Sequence, residues 1–152
     1  MNSLKIFLVL CVFGVFHCGF SQKSNPVQWA TEVTKLTDTE YELKAIATIE
    51  GKWHLYSQEV PAGGPLPTIF TFTKNETYSL VGEVLEEKGK TVLDPVFDME
   101  IKYFENTATF RQRIAVLNKE PLVVNGKVNF MVCNDIQCLP PKNKKLSFTI
   151  VR

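Results

Sequence analysis

Two cysteines, Cys133 and Cys138, flank Asn134-Asp135-Ile136-Gln137 and are followed by Leu139-Pro140-Pro141. A thiol pair this close can form a disulfide, exchange it with another thiol, or bind a metal. An alternating run of Val128, Phe130 and Val132 delivers the first cysteine at a strand end. The two prolines after the second cannot continue a paired strand. A further alternating run of Leu146, Phe148 and Ile150 then closes the chain. The sulfurs are therefore expected at the mouth of a hairpin, one on each side, close enough to bond if the turn is tight.

The bare residues leave a structural staple and a redox site equally open. In the chain-entropy picture so short a loop gains only about 2 kcal/mol, against roughly 4.7 kcal/mol for a loop of about 100 residues. A chain of 152 residues minus a leader buries roughly two-thirds of its unfolded surface, so its core needs no such clip. For a metal, His54 would supply only a third ligand, and closed zinc sites take four. No metal and no cofactor are expected. The spacing also departs from the two-residue thioredoxin pattern, which places its thiol at a helix N-terminus.

The start of the chain sets the compartment. Lys5 precedes an apolar run over residues 6–16, and Gly19-Phe20-Ser21 offers small residues where a signal peptidase reads. The run is too short to span a bilayer, so residues 1–21 are expected to be a secretory signal peptide, cut before Gln22. A lipoprotein cut before Cys18 is the alternative, and His17 suits it poorly. Cleavage removes Lys5, Cys11, His17 and Cys18. Of 17 basic and 16 acidic side chains, 16 of each remain, for a formal charge of zero. That balance argues against nucleic acid or an anionic membrane as partner. No second long apolar segment follows residue 21, so no transmembrane segment is expected in the mature chain. Only Cys133, Cys138 and His54 survive of the cysteines and histidines, and in an oxidising compartment the two cysteines should rest as a disulfide.

Residues 22–152 are expected to form one domain. Their pattern has period two, the mark of half-buried strands. Trp29, Thr31 and Val33 open it, and Tyr41, Leu43, Ala45, Ala47 and Ile49 follow before a turn at Gly51. Trp53, Leu55 and Ser57 make a short strand, and residues 61–67 a loop rich in proline and glycine. Strands are expected at Phe70 and Phe72, over 78–84, 99–104 and 109–116, and along the cysteine hairpin. Residues 86–90 read as a solvated charged turn, and residues 94–98 as a loop with Phe97 at its tip. Asn125-Gly126 could turn the chain tightly between 122–124 and 128–132. No helical period persists, and short strands with frequent turns predict an antiparallel β-sandwich.

The segment Val132-Cys133-Asn134-Asp135-Ile136-Gln137-Cys138-Leu139-Pro140-Pro141 resembles the cysteine loop of the N-terminal periplasmic domain of the thiol:disulfide interchange protein DsbD. Trp53-His54-Leu55-Tyr56-Ser57-Gln58 is similar to that family's aromatic strand, and Asp94-Pro95-Val96-Phe97 to its cap loop. The likeness runs from about Asn25 to the C-terminus. It implies an immunoglobulin-like sandwich, a periplasmic location and thiol:disulfide oxidoreductase chemistry, with Cys138 forming the mixed disulfide and Cys133 resolving it. The residues themselves do not separate the two roles. Familiar members have one more residue between the cysteines and a tyrosine in place of His54. They also continue into a membrane domain and a thioredoxin-like domain. The expectation here is a stand-alone first domain, reduced by a separate membrane or thioredoxin-like donor and passing electrons to oxidised periplasmic thiol proteins. An immunoglobulin-like binding or scaffold module with an inert disulfide is the alternative.

Around the cysteines, Asp135 would disfavour a thiolate by its charge, or serve only as a turn former. His54 could move protons if it faced the sulfurs, and is otherwise an edge residue. Tyr56 and Trp53 either pave the site or belong to the core. Phe97, held between Asp94 and Asp98, is expected to shield the disulfide from small thiols; otherwise it is an ordinary core residue.

Overall fold

The molecule, seen in a computed structural model, is described over residues 25–94, 97–118 and 120–151. The expected signal peptide at 1–21, and Pro95 and Val96 of the expected cap loop, lie outside those residues. Among the described residues ten strands form: β1 (Val27–Lys35), β2 (Glu40–Ile49), β3 (His54–Tyr56), β4 (Ile69–Phe72), β5 (Tyr78–Glu86), β6 (Lys90–Asp94), β7 (Met99–Phe104), β8 (Thr107–Val116), β9 (Leu122–Cys133) and β10 (Cys138–Ile150). Among the described residues no helix is long and apolar enough to cross a membrane.

The strands pair antiparallel in two sheets. One has the order β1-β2-β8-β5; the other has β10-β9-β3-β7-β6, with β4 also on β9. Period-two burial drives their stacking. Tyr41, Leu43, Ala45, Ala47 and Ile49 of β2 are all buried, and they face Val124, Val128, Phe130 and Val132 of β9 and Phe148 of β10 across one core. Trp29 and Phe110 of the first sheet interlock with Phe70 and Phe130 of the second, at ring-centroid separations of 4.9–6.0 Å. This core closes without help from the cysteines.

Three local expectations are corrected. Asn125-Gly126 makes no turn, because β9 runs unbroken from Leu122 to Cys133. Gly126 pairs with Leu146 on one side and Phe72 on the other. A Cβ there would lie 3.0 Å from the Thr71 carbonyl oxygen and 3.2 Å from the Phe72 ring, so glycine admits β4 rather than a bend. The prolines do not end the pairing either. Leu139 pairs with Val132 and Lys142 with Phe130, so Pro140 and Pro141 share the place opposite Met131 in a bulge. β10 is an edge strand, and an edge bulge tolerates missing N–H groups.

The third correction concerns Glu86, which ends β5 with its side chain only 7% exposed. Its carboxylate accepts hydrogen bonds from Ser57 Oγ at 2.5 Å and the Gln58 N–H at 2.8 Å, and pairs with Lys102 Nζ at 2.7 Å. It ties the first sheet to β7 and the end of β3 in the second. Residues 91–93, unassigned from the pattern, form β6 together with Lys90 and Asp94, expected in the flanking turn and loop, because all five pair along β7.

Candidate functional site

Alternation on β3, β7 and β9 sends Leu55, Phe104 and Val132 into the main core. It therefore sends their neighbours to the other face of the sheet. There Tyr56, Ile101, Tyr103 and Cys133 form a second buried cluster, with Val60, Val92, Phe97, Met99 and Met131 packed against it. Cys133 ends β9 inside this small outer core.

Cys138 starts β10 directly opposite Cys133, with Cα atoms 4.0 Å apart, and the two form a disulfide. The intervening turn is set by Asn134. Its N–H donates to the Gln137 carbonyl at 2.9 Å, and its Oδ1 accepts from the N–H groups of Ile136 at 3.0 Å and Gln137 at 2.9 Å. An Asx side chain commonly closes a turn this way. The two ends of the bridge differ sharply in access: Cys133 is 4% exposed, whereas Cys138 is solvent-exposed. Access is one of the conditions for thiol–disulfide exchange, and Cys138 is the accessible end of the bridge.

The other residues singled out from sequence are placed unevenly. Tyr56 lies in the same buried cluster as Cys133. Burial, with the charges of Asp94 and Tyr103, pushes its phenol up to about 12, so it stays a neutral hydroxyl. Asp94 ends β6, and its Oδ1 accepts the Phe97 N–H at 3.2 Å while its carbonyl accepts the Asp98 N–H at 2.8 Å. Asp98 takes a left-handed conformation, φ 51°, which tightens the β6–β7 connection. Phe97 is half-buried against the cluster that holds Cys133. Trp53, by contrast, packs against the main core and takes no part in this cluster.

His54 pairs with Cys133 in the β3–β9 ladder. Its ring stacks on Tyr103 at 4.2 Å and its Nε2 lies 3.2 Å from Glu105 Oε1. Lys90 reaches the other Glu105 oxygen at 3.5 Å. Asp135 is exposed and joins His54, Tyr103, Glu105 and Lys52 around a cavity of about 430 Å³ beside the cysteine loop. Tyr103, Glu105 and Lys90 were not legible as neighbours of the site, since only the β3–β7 and β6–β7 registers bring them there. On the other flank, Pro140 and Pro141 line a groove of about 510 Å³ with Trp29 and Phe130.

Among the described residues this β-sandwich carries one cysteine pair, unequally exposed, where β9 and β10 meet. Residues 23–150 match the family of the thiol:disulfide interchange protein DsbD, N-terminal, and the chain belongs to it. The fold, immunoglobulin-like, is shared with solved structures. The N-terminal domain of Neisseria meningitidis DsbD in its reduced form is 14% identical, with a TM-score of 0.52 over 80% of this chain and 84% of that one. The N-terminal periplasmic domain of ScsB from Proteus mirabilis is 12% identical, with a TM-score of 0.53 over 80% of this chain. The match spans 44% of that ScsB chain. No curated protein sequence matches.

Proposed function

We propose that this domain is exported to the periplasm and passes reducing equivalents, two electrons at a time, through Cys133 and Cys138. The observation that carries the reading is the unequal exposure of the two cysteines in a fold whose main core does not include them. A donor thiolate attacks Cys138 Sγ, the Cys133–Cys138 bond breaks, and Cys133 leaves as a thiolate that takes up a proton. The donor's second thiol then attacks its own bridged sulfur, and leaves oxidised. In the second half-reaction the Cys138 thiolate attacks a partner disulfide and forms a mixed disulfide. Cys133 attacks Cys138 Sγ, re-forming the original bond and releasing the partner as a dithiol.

The donor is a separate membrane or thioredoxin-like protein, and the acceptors are oxidised periplasmic thiol proteins. In this reading Tyr56 and Asp94 line the buried side of the site, Phe97 shields it, and His54 with Asp135 forms the rim toward Glu105. Thiol titration tests the exchange itself. The protein isolated from an oxidising compartment should show no free thiol, then two after treatment with a catalytic amount of reduced thioredoxin and its reducing system. Its circular dichroism should stay that of the native sheet throughout. A disulfide that stays closed while the fold is native would remove the redox reading.

The shield carries its own expectation. Phe97→Ala should raise the rate of reduction by dithiothreitol severalfold while lowering stability by no more than about 1–2 kcal/mol, since the ring is only half-buried. Stopped-flow measurement of the reduction, beside a urea melt, checks both. An unchanged rate would return Phe97 to the role of a packing residue.

A further inference from the structure

The most exposed large apolar side chain among the described residues is Ile136, at 91%. Single exposed apolar residues are common, so exposure alone assigns nothing. Its place does. Ile136 sits at the tip of the cysteine loop, two residues before Cys138, and its N–H is held by the Asn134 side chain. The turn therefore presents the side chain outward from a fixed backbone instead of letting it fold back onto the sheet.

A mixed disulfide at Cys138 brings a partner sulfur within about 2 Å of Cys138 Sγ. Any protein that close must also cover the residues around that sulfur. On one side in sequence stands Ile136; on the other stand Pro140 and Pro141, both exposed. The charged groups nearby are of both signs, Asp135 and Glu105 against Lys52 and Lys90, and offer no single-sign field to attract a partner. Apolar contact is then the larger available source of recognition.

We infer that Ile136 is the docking anchor for the exchange partner: a protein that presents an apolar surface beside its own reactive cysteine, into which this side chain is buried as the mixed disulfide forms. The inference rests on the exchange reading above. It assigns partner recognition to a residue that takes no part in the chemistry. It also predicts that small thiols, which make no such contact, are indifferent to it.

The test compares Ile136→Ser and Ile136→Leu with the wild-type chain, using reduced thioredoxin as the protein probe and dithiothreitol as the small one. For Ile136→Ser the second-order rate constant with thioredoxin should fall about tenfold, the loss typical of a contact that matters at an interface. Its rate with dithiothreitol should stay within about twofold, and Ile136→Leu should recover most of the thioredoxin rate. Equal thioredoxin rates for the serine variant and the wild type would overturn the anchor and leave the exchange reading standing. A serine variant slowed equally with both reductants would also overturn it, since the change would then lie in the loop and not in docking. A wild-type disulfide that thioredoxin cannot open while the fold is native would bring down both readings together.

Discussion

Cys138→Ala should reduce protein exchange to the uncatalysed level, whereas Cys133→Ala should accumulate a covalent adduct with its partner. The asymmetry follows from access. An incoming sulfur can reach exposed Cys138, while Cys133 is closed in among Tyr56, Ile101 and Tyr103. Without Cys133 the domain has no thiol to resolve the mixed disulfide on Cys138, so the adduct persists with a partner that lacks its own second cysteine. Without Cys138 the remaining thiol is buried and forms no adduct. Both variants should stay folded, each losing at most about 2 kcal/mol from the short closed loop. Non-reducing electrophoresis reads the adduct after mixing with a thioredoxin-like protein whose second cysteine is alanine and whose remaining cysteine carries a thionitrobenzoate leaving group, and a denaturation curve reads the fold. Equal adducts from the two variants would contradict the assignment of roles. A Cys133→Ala chain that fails to fold would favour the structural staple.

The second large effect is on stability. Glu86→Ala should cost about 3 kcal/mol, because it strands three donors that now share one carboxylate: Ser57 Oγ, the Gln58 N–H and Lys102 Nζ. Burial pushes this carboxyl up, but the hydrogen bonds from Gln58, Lys102 and Ser57 and the charge of Lys102 outweigh it and hold it below the usual glutamate value of 4.5. A carboxyl lowered on folding stabilises fully at pH above its unfolded value, and that contribution is lost as pH falls through the folded value. The stability gap between wild type and Glu86→Gln should therefore be widest near neutrality and narrow steadily in acid. Urea melts of the two proteins from pH 7 to pH 3 measure it. A gap that does not change with pH would mean that the carboxylate charge contributes nothing.

Much of the sandwich was legible because its signal is local. The alternation in Tyr41-Glu42-Leu43-Lys44-Ala45 is enough to give a strand and its buried face. What misled was chemistry that depends on a distant partner. Asn125-Gly126 has the composition of a tight turn, but β4, more than fifty residues earlier, needs a side-chain-free position to lie against β9. Pro140-Pro141 reads as a strand end, yet an edge bulge accommodates both. Glu86 looks like one charge in a solvated run until Lys102 and Ser57 are folded around it. The cysteine pair stood out by spacing alone. Its unequal exposure did not, since that follows from β3 and β7 laying Tyr56, Ile101 and Tyr103 beside Cys133. His54 likewise carried no sign of Glu105, 51 positions later in the chain and 3.2 Å away.

The register of β9 against β10 has a kinetic consequence. From Leu122 to Phe130, β9 is zipped onto β10 by a ladder anchored in the main core at Val124, Val128, Phe148 and Ile150. That ladder, together with the Asn134 turn, holds the ends of the two strands side by side whether or not the sulfurs are bonded. Once reduced, each thiol therefore meets the other at an effective concentration far above that of any free thiol in solution. In the exchange proposed above, release of the partner is then a first-order event within the domain, faster than a second encounter. The partner's stay on Cys138 is then timed by the backbone that keeps Cys133 within reach.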